Sequence, residues 1–275
     1  MAGVDAARFS EPQAPSYGDE AYWSERYGKE CEAYDWYLTW DQLKEGLQPL
    51  LTPESQILVL GCGTSTLSER LYSEGYVNVT NVDRSEQVIA AMRARHAAML
   101  EAPPDPKAKK DPKAKLAPEP AEGEERPRMS FEALPAQSLP QSWAGRFDVV
   151  IDKAFLDAVA CGKDKWRQAD AVLRAASAVL KSQSGVYVCI SHARPEVRRP
   201  MLLSLRRRDA LQPRGSEEEA DVSGAYRWKL EHKSLPRLLV SPAADPKAKE
   251  KAEIAPSKSY NAAEHVYYMY MCCKL

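Results

Sequence analysis

The feature that most constrains the fold is a four-residue apolar run, Ile57–Leu60, which ends directly in Gly61-Cys62-Gly63. A short and continuously apolar run is typical of a strand that is buried on both faces of a parallel sheet. The two glycines allow the chain to turn tightly after the strand, and they let a ligand approach the backbone N–H groups. The sequence therefore predicts a ligand-binding turn at the end of a buried parallel strand.

A carboxylate follows this turn at a suitable spacing. Asp83 lies twenty residues beyond Gly63, at the end of a second strand that is predicted over residues 78–82. A carboxylate in this position can accept hydrogen bonds from both ribose hydroxyls of a nucleoside cofactor. Either feature alone is a weak signal, because a glycine pair after a strand can also serve only to pack a helix against the sheet. The two features together, in a strand context, favour a nucleoside cofactor.

The rest of the chain alternates strand and helix patterns. Five further strands are predicted, over residues 129–134, 147–151, 185–191, 226–232 and 265–273. Thr66 and Glu69 have the spacing of a capping box for one helix, and Ser85 is placed to cap the next. This order predicts an α/β fold, a doubly wound seven-strand sheet that is mostly parallel, with a terminal hairpin that puts an antiparallel strand at its edge.

In such sheets, ligands bind beyond the carboxyl ends of the strands. That rule points to residues 61–65, Asp83, residues 135–137 and residues 152–153. We expect one domain over residues 1–275, because the two segments that differ in composition are low-complexity insertions, residues 101–128 and 242–258. The first holds seven prolines and fourteen charged residues. Such segments bury too little apolar surface to offset the entropy of ordering, so both are predicted to be disordered.

Composition excludes several classes of protein. With 38 basic and 39 acidic residues, the net charge of −1 provides no general field for nucleic acid or an anionic membrane. No apolar run approaches the roughly 20 residues of a membrane-spanning helix. The chain has six cysteines without a CxxC pair and only four histidines. These counts disfavour both a metal site and a disulfide framework. We expect a soluble, reduced protein of the cytoplasm.

The residues of the glycine turn also distinguish between candidate cofactors. The dinucleotide-binding pattern GxGxxG requires a glycine at position 66, where this chain has Thr66. This difference disfavours a nicotinamide dinucleotide and favours S-adenosylmethionine. The sequence GKDK at Gly162 is too short for a phosphate-binding loop, which disfavours ATP.

Aromatic residues concentrate near the start of the chain. Eight of the 23 aromatic residues lie between positions 17 and 40: Tyr17, Tyr22, Trp23, Tyr27, Tyr34, Trp36, Tyr37 and Trp40. Trp23 and Tyr27 are four residues apart, as are Trp36 and Trp40, which predicts two aromatic helical faces. Ring faces attract cations, so residues 1–50 are interpreted as a helical lid over a sulfonium. Ordinary core packing is the alternative.

These motifs carry a family resemblance. The segments are YWSERY (22–27), YDWY (34–37), ILVLGCGTSTLS (57–68), NVTNVDRS (78–85), AAMRARH (90–96) and FDVVIDKAFLDA (147–158). Together they resemble the seven-strand S-adenosylmethionine-dependent methyltransferases, in the branch that methylates lysines of translation elongation factor 1-alpha. The resemblance implies a Rossmann-like methyltransferase fold, S-adenosylmethionine as cofactor and this elongation factor as protein substrate.

The resemblance also implies eight cofactor-binding residues: Trp23, Tyr27, Trp36, Gly61, Asp83, Arg84, Ala136 and Lys153. The three aromatic residues would close over the cofactor, and Gly61 would meet its amino-acid end. Asp83 would hold the ribose, with Arg84 beside the adenine and Lys153 facing the methionine carboxylate. No catalytic residue is assigned, since Asp157 as a proton acceptor is no better supported than Asp157 as a polar helix residue.

One departure from the family pattern affects the adenine site. Where the family usually has an aspartate, the chain reads Leu134-Pro135-Ala136-Gln137, so only the main-chain amide of Ala136 is expected to serve the adenine. Two alternatives therefore stay open, namely a methyltransferase for another protein or a small molecule, and a non-catalytic binding module with this fold. A nicotinamide-dependent oxidoreductase is a third, which Thr66 disfavours.

Overall fold

The computed structural model describes residues 16–29, 31–101, 129–204, 226, 228–236 and 266–275. The helices are α1 Glu20–Lys29, α2 Trp40–Leu47, α3 Leu67–Ser73, α4 Glu86–Glu101, α5 Phe155–Ala160, α6 Lys165–Val179 and α7 Pro195–Leu202. The strands are β1 Ile57–Leu60, β2 Val79–Asp83, β3 Ser130–Ala133, β4 Val149–Lys153, β5 Val186–Ser191, β6 Trp228–Pro236 and β7 Val266–Lys274. Apart from Glu101, which ends α4, the two predicted insertions lie outside the described residues.

The seven strands form one sheet in the order β3-β2-β1-β4-β5-β7-β6. The pairs among β1 to β5 are parallel, whereas β7 runs antiparallel to both β5 and β6. The predicted doubly wound, mostly parallel sheet with antiparallel pairing at one edge is confirmed. The antiparallel strand β7 is inserted one position in from that edge, and β6 is outermost.

Strand register brings the predicted ligand segments to one edge of the sheet. Leu60 at the end of β1 pairs with Val82 on one side and with Asp152 on the other. The next residues of the three strands, Gly61, Asp83 and Lys153, therefore stand side by side at the carboxyl edge.

The core lies on both faces of the sheet, because successive strand residues point to opposite sides. In β1, Ile57 and Val59 pack into one apolar cluster with α2, α3 and α4. Leu58 and Leu60 pack into the other cluster, with α5, α6 and α7. Such a strand is buried on both sides, which explains why the run that predicts it is apolar without alternation.

Two local predictions about helices differ in outcome. The Ser85 cap of α4 is confirmed, since the Val88 N–H donates to Ser85 Oγ at 3.3 Å. The capping box at α3 is wrong. The Thr66 hydroxyl instead donates to Asp35, 2.6 Å away, and Glu69 accepts from the guanidinium of Arg95. A carboxylate from a distant segment has replaced the local cap.

The predicted aromatic helices are half correct. Trp23 and Tyr27 share a face of α1, but Trp36 lies in the irregular segment 31–39, before α2 begins at Trp40. Trp40 is only 1% exposed and donates from its indole nitrogen to Glu74, so it belongs to the core. Among the described helices, we find none with the length and apolarity needed to cross a membrane.

Candidate functional site

A cavity of about 690 Å³ opens at the carboxyl edge of the sheet. Its volume is in the range of sites that enclose a small ligand or cofactor. All eight residues predicted to bind a cofactor line it: Trp23, Tyr27, Trp36, Gly61, Asp83, Arg84, Ala136 and Lys153. The structure thus brings the predicted set together in one place, and the role of each residue in binding stays a prediction.

The floor of the cavity is the glycine turn after β1. Gly61 and Gly63 both adopt left-handed backbone angles, with φ of 56° and 50°. A Cβ at position 61 would lie 2.4 Å from the ring of Phe155. Only glycine therefore fits at position 61, and its bare backbone faces the cavity.

Asp83 is held by the backbone of this turn and of the next one. The Gly63 N–H donates to Oδ2 at 3.0 Å, and the Ser85 N–H donates to Oδ1 at 3.0 Å. Partial burial raises the pKa of Asp83 above its ordinary value, although these backbone N–H groups oppose the shift. Each carboxylate oxygen has further lone pairs, so a ligand hydroxyl could donate to this carboxylate.

Aromatic rings from α1 and the segment 31–39 form one wall. Trp23 stacks on Tyr27 with ring centroids 5.7 Å apart, and Trp36 meets Trp23 edge-on at 6.1 Å. The Trp23 indole donates to the carbonyl of Tyr17 at 2.7 Å. Burial raises the pKa of the Tyr27 phenol, which keeps the ring neutral. This wall is a rigid, electron-rich surface that suits a cationic ligand.

Asp35 is the residue that sequence reasoning missed at this end of the cavity. Its carboxylate accepts from Ser65 Oγ at 2.5 Å and from Thr66 Oγ1 at 2.6 Å, and it forms an ion pair with Lys153 at 2.9 Å. The Lys153 ammonium also donates to the carbonyl of Trp36 at 3.0 Å. Asp35 therefore ties three parts of the site together, and its only signal in the sequence is its place in the YDWY motif.

The Asp35–Lys153 pair is held in a low-polarity environment. The Lys153 side chain is 4% exposed, and burial lowers the pKa of its ammonium against the opposing effect of Asp35. Burial would raise the pKa of Asp35, but Lys153 and the two hydroxyls hold it below its ordinary value. The two groups form a buried ion pair, in which the charge of each depends on the presence of the other.

Arg84 and Ala136 occupy different surroundings at the cavity wall. Arg84 forms an exposed ion pair with Glu20 of α1 at 3.0 Å. Ala136 is 4% exposed and packs with the apolar cluster around Leu60 and Val82. Arg84 thus bridges α1 to β2, while Ala136 forms part of the buried floor.

A second polar cluster lies at the other end of the cavity, beyond β4 and β5. Asp157 of α5 is 5% exposed and pairs with the buried guanidinium of Arg198. It also accepts from Ser191 Oγ at 2.7 Å and from the Tyr37 hydroxyl at 3.0 Å. The same hydroxyl lies 2.7 Å from Nδ1 of His192.

This cluster could not be assembled from sequence spacing. Tyr37 and Asp157 are 120 positions apart, and Tyr37 and His192 are 155 apart. Burial would raise the pKa of Asp157, but its bond with His192 and the charge of Arg198 hold it below its ordinary value. The cavity therefore has a carboxylate held by backbone at one end and an imidazole beside a charged carboxylate at the other.

Comparison with known proteins agrees with this geometry. No family model matches the chain. "EEF1A lysine methyltransferase 4" of Mus musculus is 30% identical over 202 residues, which cover 69% of this chain and 68% of that protein. "eEF1A lysine and N-terminal methyltransferase" of Mus musculus is 33% identical over 184 residues, 66% of this chain. The chain spans only about a fifth of that longer relative, whose aligned part is 22% of its length.

A solved structure shares the architecture. The methyltransferase in a complex with the Trm112 methyltransferase activator of Haloferax volcanii superposes with a TM-score of 0.50 at 14% identity. The match covers 95% of this chain and 98% of that one. The predicted methyltransferase fold is confirmed. By its similarity to the mouse relative along two thirds of both chains, the chain belongs to the EEF1A lysine methyltransferase 4 family of methyltransferases.

Proposed function

We propose that this chain transfers the methyl group of S-adenosylmethionine to a lysine side chain of translation elongation factor 1-alpha. The observation that carries this proposal is the single cavity lined by all eight residues expected to bind the cofactor. The names of the mouse relatives give lysine methylation of eEF1A as their activity. A cytoplasmic location, predicted from composition, stays a prediction.

The residues present fit the proposed cofactor. Gly61 lines the cavity without a side chain, so a ligand can approach the backbone of the turn. Asp83 offers acceptor oxygens to ribose hydroxyls, and the rings of Trp23 and Tyr27 offer electron-rich faces to a positive charge. Lys153 anchors the segment that carries Trp36, because its ammonium donates to the Trp36 carbonyl and to Asp35.

The aspartate that the family usually places near Ala136 has a candidate substitute. Gln137 lines the cavity and donates from Nε2 to Oε1 of Gln168 at 3.2 Å. This hydrogen bond fixes the orientation of the Gln137 carboxamide, whose oxygen is an acceptor. We assign to that oxygen the contact with an adenine amino group that a carboxylate makes elsewhere in the family.

Methyl transfer to an amine asks the protein mainly for alignment and exclusion of water. When bound, S-adenosylmethionine supplies an activated methyl group on a sulfonium, whose sulfur keeps the electron pair of the old bond as the amine nitrogen forms the new one. Asp83 and the glycine turn hold one end of the cavity in a fixed geometry. The aromatic wall excludes water, and the lysine enters at the end that holds Asp157 and His192.

The test combines binding and transfer. Calorimetry should detect S-adenosylhomocysteine and not NAD, and a tritium-methyl assay with purified elongation factor 1-alpha should label a lysine that mass spectrometry identifies. Asp41→Ala is the matched control for carboxylate variants, since Asp41 is an exposed partner of Arg70. A chain that binds S-adenosylhomocysteine but labels no lysine of the purified elongation factor contradicts the proposed substrate. One that binds NAD instead contradicts the chemistry.

A further inference from the structure

The end of the cavity that holds Asp157 and His192 is called the acceptor end, and its hydrogen bonds define the protonation of the His192 ring. The Tyr37 hydroxyl has one proton, which it donates to Asp157 Oδ2 at 3.0 Å. Asp157 is ionised at neutral pH, so it has no proton to return. His192 Nδ1 lies 2.7 Å from the Tyr37 oxygen and 3.3 Å from Asp157 Oδ2, and since neither oxygen has a proton left to donate to it, the proton is on Nδ1. In a neutral ring, Nε2 is then a bare acceptor.

We propose that Nε2 of His192 accepts the proton of the substrate lysine, so that His192 is the general base of the methyl transfer. This inference rests on the proposed function. The lysine ammonium gives one proton to Nε2, and the neutral amine keeps the lone pair that forms the carbon–nitrogen bond. The methylated nitrogen carries the positive charge after transfer, and the imidazolium returns its proton to water.

The position of His192 fits this role. Tyr37, Asp157 and His192 all line the same cavity as Asp83. Asp83 ends β2, and His192 directly follows β5, three strands further across the sheet. Neighbouring strands are about 4.8 Å apart, so roughly 14 Å of cavity separates the two ends. A cofactor held at Asp83 thus leaves the His192 end for the incoming lysine.

The ring is both oriented and accessible. Its side chain is 61% exposed, so a substrate can reach Nε2 and the proton can pass to solvent. Tyr37 is held in place in turn, because its ring stacks on Tyr267 of β7 with centroids 4.8 Å apart. Tyr37 also adopts a left-handed backbone, with φ of 67°, which is unusual for a bulky residue and is concentrated at functional sites.

Taken together, the groups around His192 raise the pKa of its imidazole, which makes it a stronger base. Asp157 of α5 raises the pKa of the imidazole through a hydrogen bond and its charge, against burial and the buried Arg198 of α7. An ordinary lysine has a pKa of about 10.4, so only about one lysine in 2,500 is neutral at pH 7. A histidine whose pKa lies above the usual value near 6.5 has a smaller pKa difference from the substrate lysine. It can therefore accept a proton from the ammonium form, which lets that form react.

The kinetic test uses the full chain and a matched pair of variants. In His192→Asn, the amide N–H takes the place of Nδ1–H toward Tyr37, but no base remains. In His232→Asn, an exposed histidine on β6 changes in the same way away from the cavity. We expect His192→Asn to lower kcat about 100-fold or more at pH 7, with S-adenosylhomocysteine affinity within twofold, and His232→Asn to match the wild type.

The pH profile separates a base from a positioning residue. Wild-type kcat/KM should rise with pH and level off above the pKa of His192. The His192→Asn profile should continue to rise toward the pKa of the substrate lysine, because only neutral lysine reacts. A variant with kcat within threefold of the wild type, or with the same plateau, overturns the inference. A wild-type chain that labels no elongation factor overturns the proposed function instead.

A second readout does not depend on turnover. Nitrogen-15 NMR of the full chain identifies the His192 signals as those absent from His192→Asn. The neutral ring should carry its proton on Nδ1, and its pKa should lie above the ordinary value of about 6.5. A neutral ring protonated on Nε2 overturns the inference, even if His192→Asn is inactive, because that nitrogen could not accept a proton.

Discussion

The two ends of the cavity each hold a carboxylate that is shielded from water, but the pKa values of the two carboxylates are shifted in opposite directions. At the cofactor end, Asp83 is bound by two backbone N–H groups, and its pKa is raised. At the acceptor end, Asp157 has the guanidinium of Arg198 beside it as well as two hydroxyl donors, and its pKa is lowered. One charge is left for a ligand to stabilise, whereas the other is already neutralised by the protein.

The comparison separates binding from stability. A carboxylate without a charged partner costs the fold some free energy, and a ligand that donates to it recovers that energy. A carboxylate paired with a buried arginine instead leaves a large penalty behind when it is removed. Changes at Asp83 should therefore act mainly on ligand affinity, and changes at Asp157 mainly on the folded state.

The largest expected effect is that of Asp157→Ala on stability. The change leaves Arg198, which is 2% exposed, without its carboxylate, and removing one partner of a buried pair costs about 3–5 kcal/mol. Urea denaturation should show this loss, against less than about 1 kcal/mol for Asp41→Ala. Equal losses in the two variants would contradict the assignment of Asp157 to stability.

The same pair sets a pH dependence. The pKa of Asp157 is lowered in the folded state, so its contribution to stability is present above the ordinary value and disappears as the pH falls through the folded value. Below an ordinary aspartate pKa of about 3.9, the wild type should lose stability faster than Asp157→Ala. Parallel acid denaturation curves for the two proteins would show that another carboxylate controls the transition.

Asp35→Ala should have the second largest effect, and it acts on both properties. It leaves the Lys153 ammonium buried and removes the acceptor of Ser65 and Thr66, which should cost about 2–4 kcal/mol. Since Asp35 joins the aromatic segment to the glycine turn, S-adenosylhomocysteine affinity should also fall at least tenfold. Lys153→Met in the same background should recover stability, as a thermal melt can show, but not affinity.

These residues also mark what sequence could predict. The strands follow from their apolar runs, and the pairing of the glycine turn with Asp83 follows from a spacing of twenty residues within one βαβ unit. The roles of Asp35, Tyr37 and His192 depend on partners more than a hundred positions away in the chain. Local hydrophobic periodicity carries no information about such partners. The misassigned cap at Thr66 has the same cause, since Asp35 accepts from both the hydroxyl and the backbone N–H of Thr66, while the Glu69 carboxylate accepts from Arg95.

Asp83→Ala should change affinity more than stability. Losing hydrogen bonds to a charged acceptor costs about 1.5–3 kcal/mol, so the Kd for S-adenosylhomocysteine should rise about ten- to a hundredfold. The free energy of unfolding measured in urea should change by about 1 kcal/mol or less, because the raised pKa means that the Asp83 charge opposes folding. Wild-type affinity should fall with acidification, starting above an ordinary aspartate pKa, and Asp83→Ala should lack this dependence.

The smallest expected effect is that of Arg84→Ala. The family resemblance places Arg84 beside the adenine, but its guanidinium pairs with Glu20 at the exposed rim, where side chains of both residues are well solvated. An exposed ion pair contributes about 0–1 kcal/mol. The free energy of unfolding should therefore change by about 1 kcal/mol or less, and the Kd for S-adenosylhomocysteine by less than about fivefold. Glu20→Ala is the matched control, because it removes the pair and leaves the guanidinium. If Arg84→Ala weakens S-adenosylhomocysteine binding thirtyfold while Glu20→Ala does not, the guanidinium leaves Glu20 and stacks on the base. The cofactor end would then use a side-chain cation as well as backbone, and would be less different from the acceptor end than the structure indicates.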